Sequence, residues 1–356
     1  VGGVRGLPVV ALTLVLAACV TPRYAPPQPS YQPPAFIPPA RAAPSGETIP
    51  LTALPGWDAE DHAAALRAFA AGCRVARDQA LSAVCKQARA LGTFDEAVAR
   101  AFLEQRFVAR RVGDTGLLTA YYEPEYEARE RPEPPFTAAV RGRPSGLEAF
   151  RLGDRAAIEA DPPEQALAWM KPEDLFFMQI QGSGLLDLPN GRRLKATFAA
   201  SNGEPFAPIA PILREQGDLA PSGASAGGVH AWLAAHRGPE ADAIMRRNPR
   251  YIFFSVALDD GREPAGTAGV GLVPGRAIAV DASLHDLGEP YWIDADNPTL
   301  SGAAPRYQRL VMALDTGGAI KGAVRADLYI GRSEVAGDEA GRVRHELRLY
   351  ALTPVP

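Results

Sequence analysis

Leu310 to Gly331 reads LVMALDTGGAIKGAVRADLYIG. Asp315 closes one apolar, strand-like run, Asp327 opens another, and a glycine-rich, nearly uncharged loop lies between them. An acid at a strand end beside tight glycine turns sits where burial can hold it fixed and raise its pKa. Aspartate is also a common turn residue, so any one of these acids could simply shape a turn. A third acid, Asp281, closes a further apolar run, RAIAVD. Three such acids in a chain with few other catalytic candidates point to function.

Outward from this stretch the pattern is mostly β. Short strand-like runs follow Gly116: LLTAYYEPEYEA from Leu117, LFFMQIQGSGLL from Leu175, YIFFSVAL from Tyr251, then RAIAVD, YQRLVMAL, DLYIG and HELRLYAL. Helical patches are expected at PPEQALAWM, APILREQ, Gly228 to His236 and Pro239 to Arg247. Two helical signals precede the strands. Asp58 stands before DHAAALRAFAAG, and Thr93-Phe94-Asp95-Glu96 has the form of a capping box before AVARAFLEQRF. Strands without regular strand–helix alternation, and helices gathered at the front, predict an α+β, mainly β, chain with β-barrel cores rather than a doubly wound sheet.

Several of these blocks carry a resemblance. Ala279-Val280-Asp281, Leu314 to Gly322 and Ala326-Asp327-Leu328-Tyr329 resemble the three-aspartate, or 3D, domain. Thr119-Ala120-Tyr121-Tyr122-Glu123-Pro124 and Phe177 to Gly184 resemble signatures of the MltA family of membrane-bound lytic murein transglycosylases. The resemblance implies a double-psi β-barrel with a second β-rich domain inserted and a deep groove between them. The expected segments are helices and first barrel segment at 56–134, insert at 135–237 and remaining barrel with the 3D domain at 238–356.

The implied activity is that of a peptidoglycan lytic exotransglycosylase. Glycoside cleavage needs a proton on the leaving oxygen and stabilisation of an oxocarbenium-like centre. Here the sugar's own C6 hydroxyl attacks C1, so one carboxyl can serve as acid and then base. Residue by residue, that carboxyl is Asp327, with Asp315 supporting it and Asp281 in a structural position. Thr119, Tyr121, Tyr122, Glu123, Gln181, Gly182 and Ser183 would line the groove, aromatic faces stacking on sugars and polar groups fixing hydroxyls. Lys321 would reach substrate or pair with Asp315, and a solvated loop lysine is an equal reading. No cofactor is implied.

Other classes are weighed by single features. Asp315-Thr316-Gly317 resembles an aspartic-protease motif, a class in which two acids must share a proton; the chain's other Asp-Thr-Gly, Asp114 to Gly116, follows Ala109-Arg110-Arg111-Val112-Gly113 rather than an apolar run like the one before Asp315. Gly223-Ala224-Ser225-Ala226-Gly227 has the spelling of a serine-hydrolase elbow, but it follows the polar stretch LREQGDLAPS rather than the strand such an elbow needs. A non-catalytic peptidoglycan-binding lipoprotein and a water-using glycan hydrolase stay open.

The front of the chain reads as a leader. Arg5 precedes an apolar run from Leu7 to Ala18, too short to span a bilayer, and Leu16-Ala17-Ala18-Cys19 resembles a bacterial lipobox. Residues 1–19 are thus expected to be a lipoprotein signal with Cys19 lipidated. Val20 after it favours, by analogy, a periplasmic protein held at the outer membrane. From Pro22 to Pro44 nine of 23 residues are proline, predicting an extended tether over about 20–55. Partners implied are peptidoglycan strands, the membrane through the anchor, and cell-wall synthesis or division proteins. A net charge of −4 gives no basic footprint for nucleic acid. Five histidines and three cysteines, with neither Cys-x-x-Cys nor His-Glu-x-x-His, offer no familiar metal site. Cys73 and Cys85 fall on neighbouring helical segments, where a disulfide suits an exported protein and two buried thiols remain the alternative.

Overall fold

The computed structural model describes residues 1–2, 46–144, 152–163, 165–219, 225–298, 300–303, 305–332 and 334–355. The expected leader with Cys19 and most of the tether therefore lie outside the described residues. The tether's expected end at residue 55 needs correction. Strand β1 (Ile49–Pro50) already pairs with the barrel, and Leu51 and Leu54 are buried in its core.

Three helices come first: α1 (His62–Gly72), α2 (Gln79–Ala90) and α3 (Glu96–Arg106). Each begins at an aspartate whose side chain accepts a backbone N–H: Asp61 from Ala64, Asp78 from Leu81 and Asp95 from Val98. The expected capping box at Thr93 is replaced by the Asp95 cap. Glu96 instead caps a neighbour, accepting from the backbone N–H groups of His62 and Ala63 at the start of α1. Cys73 and Cys85 form a disulfide with a Cα–Cα distance of 5.7 Å, tying the end of α1 to α2.

From α3 the chain enters β2 (Phe107–Glu123), a 17-residue strand that starts ten residues before the expected one. It runs alongside the later strands β9 (Ala277–Val280), β10 (Pro290–Ala295), β11 (Tyr307–Thr316), β12 (Arg325–Arg332) and β13 (Arg344–Pro354). The order β2-β12-β9-β11-β10-β13 returns to β2, giving a closed six-stranded barrel. Two pairings, β2 with β12 and β9 with β11, are parallel and the rest antiparallel, the mixed pattern of a double-psi barrel. In β11, Val311 and Ala313 face the barrel interior while Leu310, Met312 and Leu314 pack against the outer helical layer. Burial on both faces explains why LVMAL is continuously apolar rather than alternating.

Between β2 and β9 the chain forms a second region. Strands β3 (Glu125–Glu127), β6 (Ser183–Asp187), β7 (Arg193–Ser201) and β8 (Ile252–Leu258) make a four-stranded sheet, and β4 (Ala138–Arg141) pairs with β5 (Ala166–Met170). Helices α4 (Arg155–Ala160), α5 (Pro172–Gln181), α6 (Ala210–Gln216), α7 (Ala226–Ala235) and α8 (Pro239–Met245) accompany them. A last helix, α9 (Glu334–Ala340), follows β12. The sheet thus takes strands from Glu125 to Leu258, wider on both sides than the expected 135–237 insert. The reason is local: β8 completes the sheet against β7, and α8 packs with Phe176, Leu213 and Leu233.

Two elements differ from expectation in type. LFFMQIQ is helix α5, not strand: Pro172 sits at its start, Glu173 and Asp174 fill its first turn, and Gly182 ends it in the left-handed conformation. Conversely, the expected helix over PPEQALAWM gives way to strand β5, paired with β4.

Candidate active site

The barrel pairings gather the site. On β12, Asp327 lies opposite Thr119 of β2 on one side and Ala279 of β9 on the other. Asp315, near the end of β11, pairs with the same Ala279. The two acids therefore flank one short strand. Close approach of the chains here depends on Gly116, where a Cβ would fall 1.7 Å from the Val324 carbonyl oxygen.

Asp327 is half-buried. Its Oδ1 accepts a short hydrogen bond from the Thr119 hydroxyl, which in turn accepts from Arg325 Nη2 at 2.9 Å. Its Oδ2 has no hydrogen-bond partner among the described residues. Burial pushes the Asp327 carboxyl above the ordinary carboxylate pKa; the Thr119 bond and the Arg325 charge pull it down, and the Asp315 charge pushes it up again. The net displacement is upward, toward a carboxyl that carries a proton.

Asp315 is occupied differently. Its Oδ1 accepts from the Thr267 N–H at 2.9 Å, the Thr267 hydroxyl at 2.8 Å and the Thr316 N–H at 2.9 Å, and its Oδ2 accepts from the Tyr121 hydroxyl at 2.8 Å. Four donors converge on an acceptor-only group. Tyr121 stays a neutral phenol: burial raises its pKa first, and Asp315 beside it raises it further. The Tyr121 ring also packs against Tyr329 with centroids 5.3 Å apart.

Asp281 lies at the far end of the glycine loop. It accepts from the Gly322 N–H at 2.9 Å and from Ser283 through both backbone and hydroxyl, and it meets Lys321 Nζ at 3.5 Å. Burial opposes its charge, but these donors hold its carboxyl below the ordinary value. Lys321 thus pairs with Asp281 rather than with Asp315.

The remaining groove candidates divide. Glu123 is fully buried and meets Arg332 at 2.8 Å, with Asp259 3.5 Å from the same guanidinium. Both its oxygens are enclosed, so the expected substrate contact at Glu123 is corrected to a buried ion pair. Burial raises the Glu123 pKa, Arg332 and Lys195 oppose that, and Ser183 favours its ionised form. Ser183 therefore stands beside Glu123 just after the turn that Gly182 makes, with Gln181 half-buried at the end of α5. Tyr122 faces the other side of β2, over Gly337 of α9, where a Cβ would come 2.7 Å from its ring.

Sequence reading missed Arg325 and Thr267. Arg325 was within reach, since residues two apart on a strand share a face. Thr267 lies 48 residues before Asp315 in an irregular segment, and nothing in its neighbourhood signals the contact.

A double-psi barrel whose strand ends present paired aspartates, interrupted by a sheet-bearing insert, defines a narrow class. The family model described as "MltA specific insert domain" matches residues 117–255, and that described as "3D domain" matches 276–353. The structure is similar to a membrane-bound lytic murein transglycosylase from Agrobacterium tumefaciens, at 31% identity and TM-score 0.74, covering 86% of this chain and 97% of that one. It is also similar to Escherichia coli MltA with bound chitohexaose, at 26% identity and TM-score 0.67, covering 88% and 93%. A relative in Vibrio cholerae, membrane-bound lytic murein transglycosylase A, is 29% identical over 250 residues. That match takes in 66% of this chain and spans 65% of the relative's length. The chain belongs to the MltA family of membrane-bound lytic murein transglycosylases.

Proposed function

We propose that the protein is a lytic transglycosylase that cleaves the β-1,4 bond between N-acetylmuramic acid and N-acetylglucosamine in peptidoglycan. The observation that carries this reading is the Asp327 carboxyl, held at Oδ1 by the Thr119 hydroxyl, which Arg325 in turn holds, and left open at Oδ2 among the described residues. Protonated Asp327 gives its proton to the glycosidic oxygen as the C1–O bond breaks and the N-acetylglucosamine O4 leaves as a hydroxyl. The C6 hydroxyl of the muramoyl residue then attacks C1 and returns its proton to Asp327, leaving a 1,6-anhydromuramoyl end. Atoms balance without water, and the acid is regenerated for the next turnover.

Asp315 is the fixed anion that opposes early ionisation of Asp327 and holds Tyr121 and the Thr267 segment in place. Asp281 pins the glycine loop. The relatives' names support the substrate class, and the Escherichia coli protein's structure with bound chitohexaose supports glycan binding. Among the described residues no helix is long and apolar enough to cross a membrane. Attachment is proposed through a lipid on Cys19, with the enzyme held in the periplasm at the outer membrane.

The test is release of anhydromuropeptides from purified sacculi. Asp327→Asn cannot donate or take the proton and should lose about 10²–10⁴-fold or more in activity while keeping its circular dichroism spectrum. A folded Asp327→Asn variant with near wild-type release sinks the assignment. Reducing-end products from the wild type would favour the water-using hydrolase, and binding without any product would favour the non-catalytic binder.

A further inference from the structure

Arg250 precedes β8 and is tied down at its main chain. Its N–H donates to the Asn248 side chain at 3.3 Å, and its carbonyl accepts from Arg155 Nη2 at 2.7 Å. The side chain is half-buried, yet among the described residues its guanidinium makes one hydrogen bond, from Nη1 to the Glu204 carbonyl at 3.2 Å. No carboxylate of the described residues lies within 4.0 Å of it. Three more deeply enclosed guanidiniums are matched: Arg155 by Glu159, Arg276 by Glu60 and Arg332 by Glu123. Burial alone lowers the Arg250 pKa, with no neighbouring anion offsetting it.

The direction it faces gives this cation a use. A Cβ built on Gly318 would lie 3.8 Å from both Cζ and Nε of Arg250, and 3.9 Å from Phe206 Cβ. Gly318 is exposed and belongs to the loop that joins the strand of Asp315 to the strand of Asp327. A guanidinium from the segment before β8 is thus presented to the loop between the two acids, within van der Waals reach of Gly318.

We propose that Arg250 binds a carboxylate of the substrate beside the reacting linkage and so acts as a specificity residue. This rests on the transglycosylase reading. Guanidinium suits a carboxylate because its planar fork of donors can meet both oxygens. Peptidoglycan offers two sources of that group: stem-peptide carboxylates on substituted muramoyl residues, and the lactyl carboxylate where the peptide has been removed. A chitin-type oligosaccharide offers none. The residue therefore separates murein from neutral glycans of similar backbone.

The experiment compares wild type, Arg250→Gln and Arg250→Lys on peptide-bearing glycan strands and on amidase-stripped strands, with chitohexaose binding measured alongside. Arg250→Gln should raise KM roughly tenfold or more on a carboxylate-bearing strand, leave kcat near wild type, and shift chitohexaose Kd by less than about twofold. Arg250→Lys should recover part of the loss. A defect confined to peptide-bearing strands assigns the stem-peptide carboxylate; one confined to stripped strands assigns the lactyl group. Unchanged KM on both strands, or an equal loss of chitohexaose binding, overturns the proposal. Should Arg250→Gln fail to fold, the charge-retaining Arg250→Lys decides between these outcomes. If the wild type releases no anhydro product, the function reading fails by itself. Direct binding of the two strands against chitohexaose then still tests Arg250.

Discussion

Replacing Asp315 separates a supporting acid from a catalytic one. Its carboxylate accepts four hydrogen bonds, two of them from the exposed Thr267 and two from the less exposed Thr316 N–H and Tyr121 hydroxyl. Water can replace the Thr267 partners, so only the other two weigh heavily. Asp315→Ala strands those two donors, at about 1–3 kcal/mol for each buried group, or roughly 2–4 kcal/mol together after allowing for partial exposure. At about 2–4 °C of Tm per kcal/mol, the melt should fall by roughly 5–15 °C. Asp315→Asn keeps the shape and weakens charge-assisted bonds to neutral ones, costing about 1–2 kcal/mol. Its effect on chemistry is electrostatic. The Asp315 charge raises the Asp327 pKa, so removing it lowers that pKa and leaves less of the proton donor present at a given pH. The alkaline limb of kcat/KM should move to lower pH, and activity near neutrality should fall roughly tenfold, well short of the loss in Asp327→Asn. Thermal melts and anhydromuropeptide release across pH measure both effects. An Asp315→Asn variant with wild-type Tm and no residual activity would refute the reasoning and make Asp315 the acid itself.

Thr119→Val should act with the opposite sign. The hydroxyl bond lowers the Asp327 pKa, so its loss raises it and moves the alkaline limb of kcat/KM to higher pH; an unmoved limb would detach Thr119 from the acid. Removing the Cys73–Cys85 disulfide, which spans 12 residues, should cost about 3 kcal/mol by loop-closure entropy. Melts of Cys73→Ser/Cys85→Ser and of reduced wild type should then coincide below the oxidised protein, and identical Tm values would show that packing alone holds the helices. Cys19→Ser should abolish palmitate labelling in cells, and persistent labelling would remove the lipid-anchor proposal.

The barrel was legible where burial is two-sided. LVMAL, RAIAV and DLYIG announce themselves because both faces of their strands are covered, and the three acids stand out at their ends. The helices α1 and α3 were legible from periodicity. Helix α5 was not, because its core-facing face and the Phe176-Phe177 pair give it a nearly continuous apolar look that short windows assign to a strand. Strand β5 failed the other way: Ala and Met favour helix, and only pairing with β4 overrides them. At the site, motif positions marked Asp327, Asp315 and Thr119 but could not tell a groove residue from a buried one. Glu123 looks polar and available in sequence, and only the distant Arg332 shows why it is enclosed. Contacts made across tens or hundreds of residues, such as Thr267 with Asp315, leave no local trace.

Strand β2 presents Thr119, Tyr121 and Glu123 at every second position, and these three meet Asp327, Asp315 and Arg332. One strand therefore carries three separate polar engagements on a common two-residue spacing. Exchanging one of those side chains disturbs a single engagement. Deleting or inserting one residue upstream turns the whole row to the opposite face and breaks all three together. Evolutionary drift in this part of the protein should accordingly proceed by substitution, with the number of residues between Gly116 and Pro124 held fixed even among relatives that share few of the residues themselves.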